Sequence, residues 1–468
     1  MKGNQMKHEK TPDPLALLGL AAASLRIETL PAEVVQRSKQ RVLDTLGCLI
    51  AGYHAGIADA IRSYVLAQGG APEATLLPGG QKTTVALAGL AHATYIHGLE
   101  LSDAAPRATV HPGKEIIPAA LALAEQRGLG GAAILPAIVA GYEIEIRIGR
   151  SLFPGAFYRG WWTPGMFGAI GPAATAGHLL GLDATGMDNA IGIVLNLLPA
   201  TTTHANEEGG SFKWLIGGQA CAAGLLAAEM AARGTTGMRD IVGGWLPAIS
   251  DESHPERLTE GIAPDGTIEQ WELLSGILTK YYATVGCMTT PLDETFDLIT
   301  ENDIKADEIV EIHVDCMQRL AIFNTRHPEN ELAARASLPY CLAVAVCTRD
   351  RSQLLGPAFR PEVLADKAIW AAAEKVRITE NADYERQYPA RSLARVTLLL
   401  RNGKSYSREG DRSARGRYLT PTEQDIEEKF RLIATPVLGQ SKTDRVVALV
   451  QKLETLRGVR ELVDALRD

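Results

Sequence analysis

Three short stretches of the 468-residue chain set polar side chains inside apolar surroundings, where acid, base or cationic groups have the most chemical leverage. The first is His97-Gly98-Leu99-Glu100-Leu101-Ser102-Asp103, then Ala104 to Val110, then His111-Pro112-Gly113. Glu100 and Asp103 are three apart, so a continuing helix places them on one face, with His111 folding back beside them. Carboxylate plus imidazole is a workable acid/base set. The competing reading is a helix-end charge pair, with His111 capping the next helix. The second stretch, Gly209-Gly210-Ser211-Phe212-Lys213-Trp214, delivers one lysine from a flexible turn to the start of an apolar helix. Desolvation between Phe212 and Trp214 lowers an ammonium pKa, which makes Lys213 a base or a carboxylate anchor. A lysine snorkelling from the helix end is the alternative. The third, Arg159-Gly160-Trp161-Trp162-Thr163-Pro164-Gly165, either lines a pocket or forms a core plug with a surface cation.

The elements that carry these residues change character along the chain. From Pro31 to about Ser275 the pattern is helix after helix, beginning with Pro31 at a first helical position and Val35, Val42, Leu46 and Ile50 on one face. It recurs at 85–99, 115–126, 134–148, 167–180, 187–198 and 213–233, with small residues that let helix axes approach closely. After about residue 275, Val310, Ile312 and Val314 alternate with polar residues, as do Val396, Leu398 and Leu400 before the hairpin signal Asn402-Gly403. Val376 and Ile378 suggest a third strand, with helical stretches at 290–300 and 338–347. Helical periodicity returns at 422–432 and 444–466. The expected fold is mostly α: a large all-helical domain built from both chain ends, 1–275 and 414–468, with a smaller α+β lid domain inserted at 276–413.

Composition excludes other classes. The chain has 47 Lys+Arg against 55 Asp+Glu, a net charge of −8, and no basic block to hold a phosphate backbone, so no nucleic-acid partner is expected. With 46% hydrophobic and 22% charged residues it reads as a packed globular enzyme, not a disordered or disulfide scaffold. The six cysteines stand singly in apolar contexts and read as reduced core thiols. Leu15 to Leu25 could pass for a signal segment, but runs on into Arg26-Ile27-Glu28 and reads better as a first helix. Other long apolar runs are interrupted before about 20 residues, so no membrane span and a cytoplasmic location are expected. P-loop, dinucleotide, zinc-protease and serine-hydrolase motifs are missing.

The order of the pieces is specific: LDTLGCLIAG, HGLELSD…HPGKEIIPAALALAE, GYEIEIRIG, YRGWWTPGMFGAIGPAATAGHLLGLD, SFKWLIGGQACAAGLLAAEMAARG and EEKFRLIATPVLG. Over nearly the whole chain it resembles the MmgE/PrpD family, as a divergent member. The resemblance implies a homodimer, no cofactor or metal, and a site at the domain boundary that removes a proton alpha to a carboxylate of a small carboxylic acid. His97, Glu100 and Asp103 match the H-x-x-[DE]-x-x-D block, His111 the histidine of the HP pair, and Lys213 the family lysine. Lys213 is then a base or carboxylate anchor, His111 its acid/base partner, and Glu100 and Asp103 orienting groups. Arg159, Trp162, Lys280 and Phe323 are assigned to substrate binding. Trp162, Ile216 and Thr290 stand where other members have histidines, Phe323 where the decarboxylase branch has a tyrosine, and Ala104 where it has a threonine. These replacements dry the site and favour a smaller or less charged acid. The leading expectation is a hydro-lyase of the 2-methylcitrate dehydratase type. The alternatives are an epimerase of the iminodisuccinate type, a decarboxylase of the cis-aconitate type, or a non-catalytic member.

Overall fold

A computed structural model describes residues 13–203 and 210–467. The helical part begins with α1 (Pro14–Ser24), capped by Asp13, then α2 (Ala32–Gly52), α3 (Ala58–Gln68) and α4 (Val85–Leu99). It continues through α5 (Gly113–Arg127), α6 (Gly131–Ser151), α7 (Ile170–Leu179), α8 (Ala184–Val194) and α9 (Phe212–Ala232). Residues 1–12, ahead of Asp13, and Gly209 of the glycine turn lie outside the described residues. Two short antiparallel strands, β1 (Ala74–Leu76) and β2 (Gln81–Thr83), interrupt what reads as an all-helical body.

Helix α9 is central, packing on α4, α5, α7 and α8. Its small residues permit this: a Cβ at Gly218 would stand 2.3 Å from the Leu90 carbonyl oxygen of α4. Among the described residues, α9 is the helix long and apolar enough to cross a membrane by length and composition, even though Lys213, three glycines and Glu229 interrupt its apolar run as expected. Ala220, Cys221, Gly224, Ala227 and Ala228 are buried against its neighbours, as in a core helix.

Beyond α10 (Thr289–Glu301) comes a four-stranded sheet of β3 (Ile309–Cys316), β4 (Val376–Glu380), β5 (Leu393–Leu400) and β6 (Ser405–Asp411), in the order β4-β3-β5-β6. β3 and β4 are parallel and the other pairs antiparallel. Gly403 takes φ +80° in the β5–β6 turn, as the Asn-Gly signal requires. Val396, Leu398 and Leu400 are buried as their alternation predicts, but Val310 is 42% exposed. A register shift between Ile309 and Glu311 throws Val310 outward and leaves Ile309 in the core. Between β3 and β4 lie α11 (Glu331–Arg335) and α12 (Leu338–Thr348). The chain then returns to the helical body, where α13 (Glu423–Leu438) packs on α2 and is followed by α14 (Gln440–Gln451). The helical run expected over 444–466 is broken at 452–459. All six cysteines are free thiols.

Candidate functional site

Helix α4 ends at Leu99 because Glu100 turns left-handed (φ 56°), its N–H bonding the His97 carbonyl. Glu100 and Asp103 therefore do not share a helical face, contrary to expectation. The helix end leaves carbonyls without partners at the negative pole of the dipole. Three cations from separate parts of the chain satisfy successive ones: Arg335 Nη1 on Leu99 O at 3.0 Å, Lys280 Nζ on Glu100 O, and Lys429 Nζ on Leu101 O at 3.0 Å. Lys429 is also ion-paired with Asp44 at 2.5 Å, both almost wholly buried. The loop after α4 is thus where the N-terminal helices, the sheet-bearing segment and the C-terminal helices meet.

Lys213, in the first turn of α9, is 6% exposed and stands 2.9 Å from Glu100 Oε1. On another side its Nζ is 5.3 Å from the centroid of the Trp162 ring, within cation–π range. His97 Nε2 is 3.8 Å from the same Glu100 oxygen. His111 is oriented by the loop that precedes it. Its Nδ1 is 2.7 Å from the Asp103 carbonyl oxygen, and a carbonyl can only accept, so Nδ1 carries the proton and Nε2 the lone pair. The Asp103 carboxylate, fully buried, accepts from Gly113 N–H at 3.0 Å and Tyr142 OH at 2.7 Å. Gly113 is required: a Cβ there would lie within 2.8 Å of Thr45 Oγ1, Asp103 Oδ1 and Tyr142 OH. Thr109 holds φ +52°, unusual for a β-branched residue, while its carbonyl accepts from Thr163 Oγ1 at 3.1 Å. That bond ties the Trp162 segment to the His111 loop.

The charges form one cluster. Burial works to raise the Glu100 carboxyl, but Lys213, His97 and Lys280 together hold it well below the usual carboxylate range. Burial, then Lys114 and Lys280, lower His111 to about 3, against the opposing pull of the Asp103 carbonyl and Glu100. The imidazole is therefore neutral. Burial pushes Lys280 down to about 8; Glu100 opposes this, and Lys213 and Lys429 add to it. Lys114, fully buried, donates to Pro164 O at 3.1 Å and contacts Glu115, whose carboxyl burial raises to about 8.

The structure thus brings together Glu100, Lys213, Trp162, Lys280, His111 and Asp103. Arg159 is directed elsewhere: its side chain is 43% exposed and pairs with Asp251 at 3.2 Å. Phe323 is half-buried in the sheet-bearing segment, its carbonyl accepting from Leu338 N–H at 2.9 Å. Thr290 Oγ1 is spent on the Ser392 carbonyl at 2.7 Å, and Ile216 packs beneath Gly165. Sequence reasoning gave no role to Lys114, Tyr142, Asp44, Lys429 or Arg335. One signal was available: Lys429 lies on the apolar face Ile426–Phe430–Ile433 of α13, where a solvated lysine has no place. Among the described residues no group of His, Cys, Asp and Glu is placed to hold a metal.

A cluster of this charge suits an anion, whose affinity is expected to follow Lys280. Because a bound carboxylate favours the ammonium form, succinate binding is expected to be full below about pH 8. Above that it weakens, approaching tenfold per pH unit. Calorimetric titration from pH 6.5 to 9.5 checks this, and a flat profile contradicts it.

Comparison with known proteins gives two matches to family definitions: the MmgE/PrpD N-terminal domain over residues 18–257 and the MmgE/PrpD C-terminal domain over 282–455. Similar proteins include the cis-aconitate decarboxylase of Aspergillus terreus, 24% identical over 472 residues, covering 95% of this chain and 94% of that protein. A cis-aconitate decarboxylase-like protein of Aspergillus oryzae is 24% identical, with 94% of each chain covered. The human cis-aconitate decarboxylase is 23% identical, covering 96% of this chain and 93% of its own.

Proposed function

The chain belongs to the MmgE/PrpD family, and from that premise we propose that it is a lyase that cleaves a bond next to a carboxylate of a small carboxylic acid, using its own side chains. The observation that carries this reading is the neutral His111 imidazole, its Nδ1 on the Asp103 carbonyl, held in one buried cluster with Lys213, Lys280 and Lys114. The ammonium groups receive substrate carboxylates. Their negative charge offsets the lysines that depress His111, which raises the basicity of Nε2 when substrate arrives. Nε2 then takes a proton alpha to a carboxylate, the C–H electron pair moves into that carboxylate beside Lys213, and the pair returns to expel the group on the neighbouring carbon. In a decarboxylation the electron pair comes instead from the bond to the departing carbon dioxide; Nε2, made more basic by the bound carboxylates, first takes a proton from solvent and then delivers it to that carbon.

The named relatives favour the decarboxylase outcome. Phe323, standing where that branch has a tyrosine, keeps the hydro-lyase of the 2-methylcitrate type as a second reading. Incubation with cis-aconitate, 2-methylcitrate, maleate and iminodisuccinate in deuterium oxide separates the outcomes. Carbon dioxide release marks a carboxy-lyase, alkene absorbance without it a hydro-lyase, and deuterium in unreacted acid an epimerase. Neither turnover nor thermal stabilisation across this panel leaves a non-catalytic member.

In the same proposal the sheet-bearing segment serves as the lid and the working form is a homodimer. Phe212, Leu215 and Leu226, at 43%, 37% and 50% exposure, lie along one side of α9, an apolar stripe suited to a symmetric partner. Light scattering at micromolar concentration is expected to give twice the 50.2 kDa chain mass. A monomer mass counts against it.

A further inference from the structure

Around Lys213 several buried donors have no hydrogen-bond partner among the described residues, the indoles of Trp162 and Trp214 among them, and the Trp162 ring is the one that lies against the Lys213 ammonium. The Trp162 indole Nε1 is buried and has no hydrogen-bond partner among the described residues. A buried N–H left unpaired costs about 1–3 kcal/mol, so a protein retains one where something else binds it. Trp162 is pinned by its backbone N–H to the Thr201 carbonyl at 2.9 Å and, through Thr163, to the His111 loop. Beside it Ile216 and the Trp162 edge converge on Gly165, where a Cβ would lie 2.4 Å from one and 3.1 Å from the other. On that side the wall is packed and apolar.

Charge limits the ligand as well. The ammonium groups of Lys114, Lys213 and Lys280 act on the His97–Glu100–His111 cluster against one carboxylate there, Glu100. Lys114 is paired with Glu115, whereas Lys280 rests on the Glu100 carbonyl and has no ion pair among the described residues. Lys280 and Lys213 are thus two cations placed to meet the two carboxylates of a dianion.

Resting on the lyase reading above, we propose that Trp162 is the specificity-determining residue of the site. Its indole N–H donates to the substrate carboxylate held beside Lys213, and its ring occupies the volume that a third carboxylate would need. The preferred ligand is a compact dicarboxylate of four or five carbons.

The test uses the full chain, with maleate, succinate and propane-1,2,3-tricarboxylate as probes, read by calorimetry at pH 7. The wild type is expected to bind the dicarboxylates more tightly than the tricarboxylate. Trp162→Phe keeps an aromatic ring and loses the N–H, so dicarboxylate binding is expected to weaken about tenfold, the effect of one hydrogen bond to a charged group. Trp162→Ala opens the wall, and the ratio of tricarboxylate to dicarboxylate affinity is expected to rise tenfold or more. Melting curves establish that each variant is folded, with the conservative Phe variant carrying the test if the Ala variant is not. A wild type that binds dicarboxylates, with unchanged affinity in the Phe variant, overturns the role of Trp162 and leaves the lyase reading standing. A wild type that binds none of the three acids and turns over none of the panel overturns both.

Discussion

Replacing His111 with alanine lowers kcat about a hundredfold or more, with little change in melting temperature. The catalytic side rests on the single lone pair at Nε2: Nδ1 is committed to the Asp103 carbonyl, and loss of a positioned base is expected to have an effect of this size. The structural side is small because the imidazole makes one hydrogen bond, a net contribution of about 1 kcal/mol. In a chain this long that shifts the melting temperature by only a few degrees. Steady-state kinetics on the best acid of the panel, with a thermal melt of the same sample, checks both halves. Full activity at an unchanged melting temperature would mean that the base lies elsewhere.

Lys213→Ala is expected to cost a similar factor in kcat/KM and also to destabilise the protein, by about 3 kcal/mol. The activity is lost because the fixed positive charge beside the substrate carboxylate is removed. The stability is lost because Glu100, 10% exposed in its side chain, keeps its charge while losing its nearest partner at 2.9 Å. The Lys213→Ala, Glu100→Gln double variant separates the two effects: the melting temperature recovers and the activity does not. Recovery of both would make Lys213 a structural residue. Glu100 is held below the usual carboxylate range, so its contribution to stability is present above the ordinary carboxylate pKa and is lost as pH falls into acid. The wild type should therefore lose more stability on acidification than the double variant does.

Much of the architecture was legible in the sequence because its cause is local. The apolar repeat of 85–99 returned as α4 residue for residue, and Asn402-Gly403 forced the turn it signals through the left-handed φ of Gly403. Where a non-local contact intervened, reading failed. Val310 alternates with its neighbours as a core residue, yet a bulge in pairing with β5 turns it to solvent. The helix after 444 is periodic to 466 in sequence but breaks at 452–459.

The site divides along the same line. Glu100, Asp103, His111, Lys213 and Trp162 could be found in the chain because each is a polar or aromatic residue at a position where apolar periodicity stops. Their roles could not, since roles depend on partners brought in from other elements, up to more than a hundred residues away. The sequence offered Glu100 and Asp103 as a pair on one helical face. Packing separated them: Glu100 turned left-handed toward Lys213, and Asp103 was buried on Tyr142 and Gly113. Lys280, Arg335 and Lys429 carry no local mark of belonging together, yet three consecutive carbonyls at the end of α4 gather them. A helix terminus buried in the core leaves acceptors that water cannot reach, and the fold is stable only if cations from distant segments arrive to fill them.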